Sequence, residues 1–163
     1  MVFLWRDRSG WDDRKSAPNL SGMATTRRAS TQWKGPYSAG AGEVSLESSH
    51  LGPFEVGPAL KAEGPAGSTS PMELLAAAHA SCICGMIAYL LEKTGHPSDM
   101  LETFAEVELD PREGITGIKV SVRGVVPGLP TEEFTAIVTR AKDGCPVSKA
   151  LAGTEITLAV ELN

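Results

Sequence analysis

The spacing of apolar residues changes several times along this chain, and each change marks an element. From about Thr31 the segments TQWKG, GEVSLES and PFEVGPALKA are strand-like and are each bounded by Gly, Pro or Ser, which reads as a small meander. A Gly/Pro/Ala loop follows at 64–68, and then the period lengthens. Ser70 stands as a helix cap, Pro71 at the first helical position and Glu73 three residues beyond the cap, so that a serine oxygen can take a free N–H of the first turn. The spacing predicts a helix over Pro71–Lys93, ended by Thr94, Gly95, His96 and Pro97 with the glycine just past the last turn. Its middle, Leu74 to Leu91, is apolar on nearly every side, which predicts burial inside a dimer.

Beyond Pro97 the period falls to two. Ala105, Val107 and Leu109 alternate with Glu106 and Glu108, and Ile118, Val120 and Val122 with Lys119, Ser121 and Arg123. With the turn DPREG between them, these runs predict a half-buried antiparallel hairpin. Thr131 is the expected cap of a second helix, whose Phe134, Ile137, Val138 and Ala141 fall on one face, and Gly144 should end it. Cys145 and Pro146 then open a short helix to about Leu151, and Ile156, Leu158, Val160 and Leu162 alternate as a last strand. Strands, long helix, hairpin, helix and strand make an α+β chain. Residues 1–27 read as a flexible N-terminal extension, in which Met23 offers a second start, and 28–163 as one domain.

Composition narrows the function. A chain of 163 residues can bury roughly two-thirds of its unfolded surface in one core and needs no disulfide staples. Its net charge of −5 and the absence of a basic stripe argue against nucleic acid or an anionic membrane as the main partner, leaving a small molecule. The longest apolar stretch is interrupted by His79, Ser81 and Glu92 and is not expected to span a membrane. The mixed charges of the first residues do not resemble a signal peptide, so the expected location is cytoplasmic. Three cysteines, an odd number, fit thiols kept for catalysis or metal better than a secreted disulfide framework.

The candidate chemistry therefore centres on the thiols. A cysteine reacts as its thiolate, and Cys145, expected at the cap of the Pro146 helix, has the more activating local setting. Cys82 lies mid-helix among apolar neighbours, where burial alone raises the thiol pKa and favours a structural role. Cys84 projects about 200° from Cys82 on the same helix, so the two cannot share a site, and Cys84 is read as packing. His79, three residues before Cys82, either pairs with that thiol or is a helix histidine bonded to backbone or a neighbouring strand, the simpler reading. His50 and His96 lack ligand-like spacing, and a zinc site from His79, Cys82 and Cys145 lacks the paired-cysteine pattern, so no metal is expected.

TSPMELLAAAHASC, followed far along the chain by AKDGCPVSKAL and preceded by TQWKG and GEVSLES, resembles the OsmC/Ohr family of thiol-dependent peroxidases. AAHASC and GCPVS are more similar to the OsmC branch, and the resemblance spans about Thr31 to Asn163. It implies antiparallel sheets packed around long central helices in an intertwined homodimer. It also implies reduction of organic hydroperoxides, and more weakly of hydrogen peroxide, in defence against oxidative stress. In the roles it implies, Cys82 is peroxidatic, Cys145 resolves it, Glu73 is the acidic partner and an arginine completes the site. Here the arginine position reads LKAEG, so Lys61 takes its place with a one-residue slip in the following loop, and no arginine occurs between Arg28 and Arg112. Lysine supplies charge without the planar guanidinium fork, and weaker thiolate activation is expected.

The family pattern further implies an external dithiol reductant, lipoyl-type compounds among the candidates, and no bound cofactor. Glu73 lies about 180° around the helix and roughly 13 Å along it from Cys82, so one helix cannot bring both into one site. A catalytic Glu73 must serve the Cys82 of a second subunit; the simpler reading is that it closes its capping box, and the two roles are compatible. The competing reading is a non-catalytic dimer of the same fold that binds a hydrophobic ligand or a metal, its cysteines structural.

Overall fold

The computed structural model describes residues 24–58 and 67–163. The first sheet is built from β1 (Ser30–Lys34), β2 (Ala41–Leu46) and β3 (Leu51–Val56), an antiparallel meander in which Thr31 faces Val44 and Val44 faces Phe54. Val44 and Val56 are buried, while Trp33, Leu51 and Phe54 remain exposed. The strand predicted over PFEVGPALKA ends at Val56, and its last residues, from Ala59 on, lie outside the described residues. Thr69 ties the returning chain to this sheet: its N–H donates to the Glu55 carbonyl at 2.8 Å and its carbonyl accepts from the Gly57 N–H at 2.8 Å.

Helix α1 (Pro71–Lys93) has the predicted bounds. Ser70 Oγ accepts the Glu73 N–H at 3.1 Å. At the other end the His96 N–H bonds to the Leu91 carbonyl and the Gly95 N–H to that of Glu92, with Gly95 at φ +80°. This paired closure satisfies carbonyls that the last turn would otherwise leave open, and the positive φ is one that glycine adopts without a Cβ clash. One stripe of the helix is buried: His79, Ile83, Ile87, Leu90 and Leu91. By length and composition α1 could cross a membrane despite its polar interruptions, but in this fold the stripe packs against β4 and the second helix.

The second sheet holds the core. β4 (Met100–Asp110) and β5 (Gly114–Val125) form the predicted hairpin, and the Asp110 carboxylate closes its turn by accepting the Arg112 and Glu113 N–H groups at 2.7 and 3.0 Å. Those two bonds hold the Asp110 pKa below its ordinary value. β6 (Glu155–Leu162) runs parallel to β5, so this sheet is mixed rather than antiparallel throughout. Ile118, Val120 and Val122 point from β5 into the core.

Helix α2 (Thr131–Gly144) lays Phe134, Ile137, Val138 and Ala141 on that face, all buried as the spacing predicts. Gly124 permits the approach, because a Cβ there would stand 2.5 Å from the Phe134 ring. Thr131 is not the cap: Pro130 occupies that position without a side-chain cap bond, and Thr131 is the first helical residue. Proline fixes an extended entry (φ −66°, ψ 147°) and the helix starts at Thr131, one residue earlier than expected, with Glu132 and Glu133 near the positive end of its dipole. Helix α3 (Pro146–Ala150) follows at once, with Cys145 at the junction.

Candidate thiol site

Cys82 sits midway along α1, and Cys145 at the joint between α2 and α3. Packing α1 against α2 and α3 brings these distant residues together. Both are free thiols, Cys145 fully buried and Cys82 half-buried, and their side chains share a hydrogen bond. The Val147 N–H, in the first turn of α3, also donates to Cys82.

Burial pushes the Cys82 pKa up, the bond to the Cys145 thiol adds to this, and the Val147 N–H pulls against it; the net direction is upward. None of these groups is a cation, so in this environment the thiol is held protonated rather than activated. Cys145 is the cap residue of α3 as predicted, but it makes no side-chain cap bond. It spends its N–H on the end of α2, bonding to the Ala141 carbonyl at 2.9 Å.

His79 is fully buried, and its Nε2 lies 2.8 Å from Ser148 Oγ. Burial lowers its pKa, which keeps the ring neutral near pH 7. Its hydrogen bond goes to a serine of α3, on a neighbouring helix rather than a neighbouring strand. Ser148 was not singled out by the sequence reading. The signal was available: His79 precedes Cys82 by one helical turn, and Ser148 follows Cys145 by the same spacing.

Glu73 is exposed, and its carboxylate accepts from Thr69 Oγ1 at 2.8 Å. It stands at the start of α1, on another stretch of the helix from Cys82, so half of its capping box forms and the side chain serves Thr69 instead of closing the other half. Lys61 lies outside the described residues. Cys84 is half-buried, and its side chain is directed away from the Cys82 face of α1, as helical geometry requires. Among the described residues, no group of three or more His, Cys, Asp or Glu side chains could hold a metal ion.

Fold and site together define a mixed α+β protein in which a mid-helix thiol and a helix-junction thiol face each other without a disulfide, sharing a hydrogen bond. A family model described as OsmC-like protein matches residues 64–161, and the chain belongs to that family. It is 36% identical over 143 residues to peroxiredoxin OsmC of Escherichia coli (strain K12), covering 86% of this chain and 99% of that protein. It is 33% identical over 99 residues to the organic hydroperoxide resistance protein of Xanthomonas axonopodis pv. citri, covering 56% of this chain and 66% of the relative. In structure it is similar to an OsmC-like protein from Mycoplasma pneumoniae, with a TM-score of 0.70 and 12% identity over 86% of this chain and 99% of that one.

Proposed function

We propose that this protein is a cytoplasmic thiol peroxidase that reduces organic hydroperoxides, and hydrogen peroxide more weakly, to alcohols or water. The observation that carries this reading is the meeting of Cys82 and Cys145 as free thiols within hydrogen-bond reach. The names of its relatives, a peroxiredoxin and an organic hydroperoxide resistance protein, support the same chemistry.

Cys82, as thiolate, attacks the terminal peroxide oxygen. The O–O bond breaks, the alkoxide takes a proton and leaves as alcohol, and Cys82 becomes a sulfenic acid. Cys145 then condenses with it, releasing water and forming a disulfide, and an external dithiol, with lipoyl-type compounds among the candidates, reduces that bond by exchange and is itself oxidised. Because the Cys82 pKa is raised by the groups around it, the peroxidase reading needs a cation at the thiol when substrate binds. Lys61 fills that role, with Glu73 of a second subunit orienting it.

The surfaces left open support a homodimer. Only 28% of the apolar stretch of α1 is buried in the single chain, and the first sheet exposes Trp33, Leu51 and Phe54. Apolar area on this scale calls for a cover.

The test is mass spectrometry of the reduced protein after one equivalent of cumene hydroperoxide, with peptide mapping. A rapid Cys82–Cys145 disulfide is expected in the unsubstituted protein, no turnover in Cys82→Ser, and a single oxidation without recycling in Cys145→Ser. Multiple turnover in Cys82→Ser would remove the mechanism. Unreactive thiols would favour a non-catalytic ligand-binding dimer, the reading supported by the raised pKa of Cys82.

A further inference from the structure

Helix α3 is five residues long and cannot hold itself in place, since so short a helix is unstable without tertiary anchors. Its front is pinned where the Cys145 N–H closes α2. One turn further on, Ser148 meets His79 of α1. The two segments thus cross-brace: His79 pairs with Ser148 at one end, and Cys82 pairs with Cys145 at the other, each pair one turn from the other along its own helix.

His79 is an unusual choice if packing alone were needed. Its ring is 0% exposed, and among the described residues its Nδ1 has no hydrogen-bond partner and the Ser148 hydroxyl is the one group bonded to its Nε2. A leucine or methionine would fill the same space without burying an unmet nitrogen. The polar pair instead fixes direction, because a hydrogen bond sets distance and angle where an apolar contact does not.

We propose that His79 and Ser148 form a positioning clamp for disulfide formation, holding the start of α3 against α1 so that Cys145 stays within reach of Cys82. The clamp rests on the peroxidase reading, whose second chemical step it serves. In that step the S–O bond of the Cys82 sulfenic acid and the S–H bond of Cys145 break. The S–S bond forms, and the hydroxyl departs with the thiol proton as water, so no oxidant beyond the hydroperoxide already consumed is required. His79 and Ser148 touch neither peroxide nor sulfur in this scheme. They act through the placement of α3, and releasing them lets the α2–α3 joint swing away from α1 and carry the Cys145 thiol out of reach of Cys82.

The experiment separates the two steps. Reduced protein, and its Ser148→Ala, His79→Leu and His79→Gln variants, are mixed with one equivalent of cumene hydroperoxide and quenched over time. Loss of the Cys82 thiol, dimedone-trapped sulfenic acid and the Cys82–Cys145 disulfide are each quantified by mass spectrometry. In Ser148→Ala and His79→Leu, thiol loss should stay within about threefold of the unsubstituted protein while disulfide formation slows by about tenfold to a hundredfold, the scale of a small misplacement of reacting groups. The dimedone adduct on Cys82 should rise in step. His79→Gln, which keeps an amide donor near the position of Nε2, should recover most of the rate. A melting temperature that falls while the disulfide still forms at the unsubstituted rate would make the pair merely structural and overturn the clamp. If the unsubstituted protein leaves hydroperoxide untouched, it is the peroxidase reading that fails. The clamp is then read from diamide-driven closure of the same disulfide, where an order unaffected by the variants would overturn it separately.

Discussion

The two residues that make the site polar, His79 and Cys82, both carry a cost of burial, and the signs of their shifts oppose each other in pH. Burial lowers the His79 pKa beneath its ordinary 6.5. Between the folded value and 6.5 the unfolded chain binds a proton that the folded chain does not, so stability rises with pH through that window and is lost as pH falls through it. Above 6.5 both states are neutral at this residue and the contribution is flat. The melting temperature should therefore decline on acidification from pH 7 to 5, and the decline should be shallower in His79→Gln, which has nothing to protonate there. Equal slopes for the two proteins would place the acid sensitivity elsewhere. For Cys82 the rise was readable from the sequence, since a thiol in mid-helix among apolar neighbours has burial to contend with. Its hydrogen bond to Cys145 was not, because a contact so distant along the chain leaves no trace in local pattern; only the resemblance paired them.

Among the elements, the face of α2 was fully legible. Phe134, Ile137, Val138 and Ala141 repeat at helical spacing, and all four are buried. The partner of Phe134 was not legible, because a glycine within an alternating strand advertises close approach without saying by what. Gly124 is where the ring meets the sheet. Gly124→Ala should destabilise by about 1–3 kcal/mol through overpacking, since its Cβ would collide with a ring that the core holds in place. Phe134→Ala should cost about 3–5 kcal/mol by leaving a cavity. Urea unfolding of both, with the double variant, provides the check: the alanine at 124 should be nearly harmless once the ring is gone. The direction of β6 escaped the pattern for a simple reason. An alternation of period two reads the same in either direction, so Ile156, Leu158, Val160 and Leu162 announce a half-buried strand but not its parallel pairing with β5. Likewise a threonine before two glutamates is an ordinary cap signal, but the helix takes in Thr131 as its first residue and the extended Pro130 stands at the cap.

At the scale of the molecule, the single chain leaves most of the apolar stretch of α1 short of full burial and the outward side chains of the first sheet exposed, and it holds Glu73 and Cys82 on separate parts of one helix. The proposed homodimer would answer both features, with a second copy covering the helix and bringing its own Glu73 to the first chain's Cys82. Helix geometry makes the second part of this proposal conditional on Glu73 being catalytic, because about 180° and roughly 13 Å cannot be bridged within one helix. It can be tested without any structure of the dimer. Glu73→Gln and Cys82→Ser homodimers should each be impaired, the second wholly. Refolded together, they yield mixed dimers in which the Cys82 retained by one chain faces the Glu73 retained by the other. If the carboxylate acts across the interface, each mixed dimer contains one intact site, and hydroperoxide turnover should reappear at about half the rate per dimer of the unsubstituted protein, proximity being fully restored at that site. If Glu73 acts only within its own chain, through the cap and Thr69, the mixture should show no more activity than the Glu73→Gln chains contribute alone. Differential tagging isolates the mixed species, and the turnover of that fraction decides between an active centre shared by two chains and one complete in each.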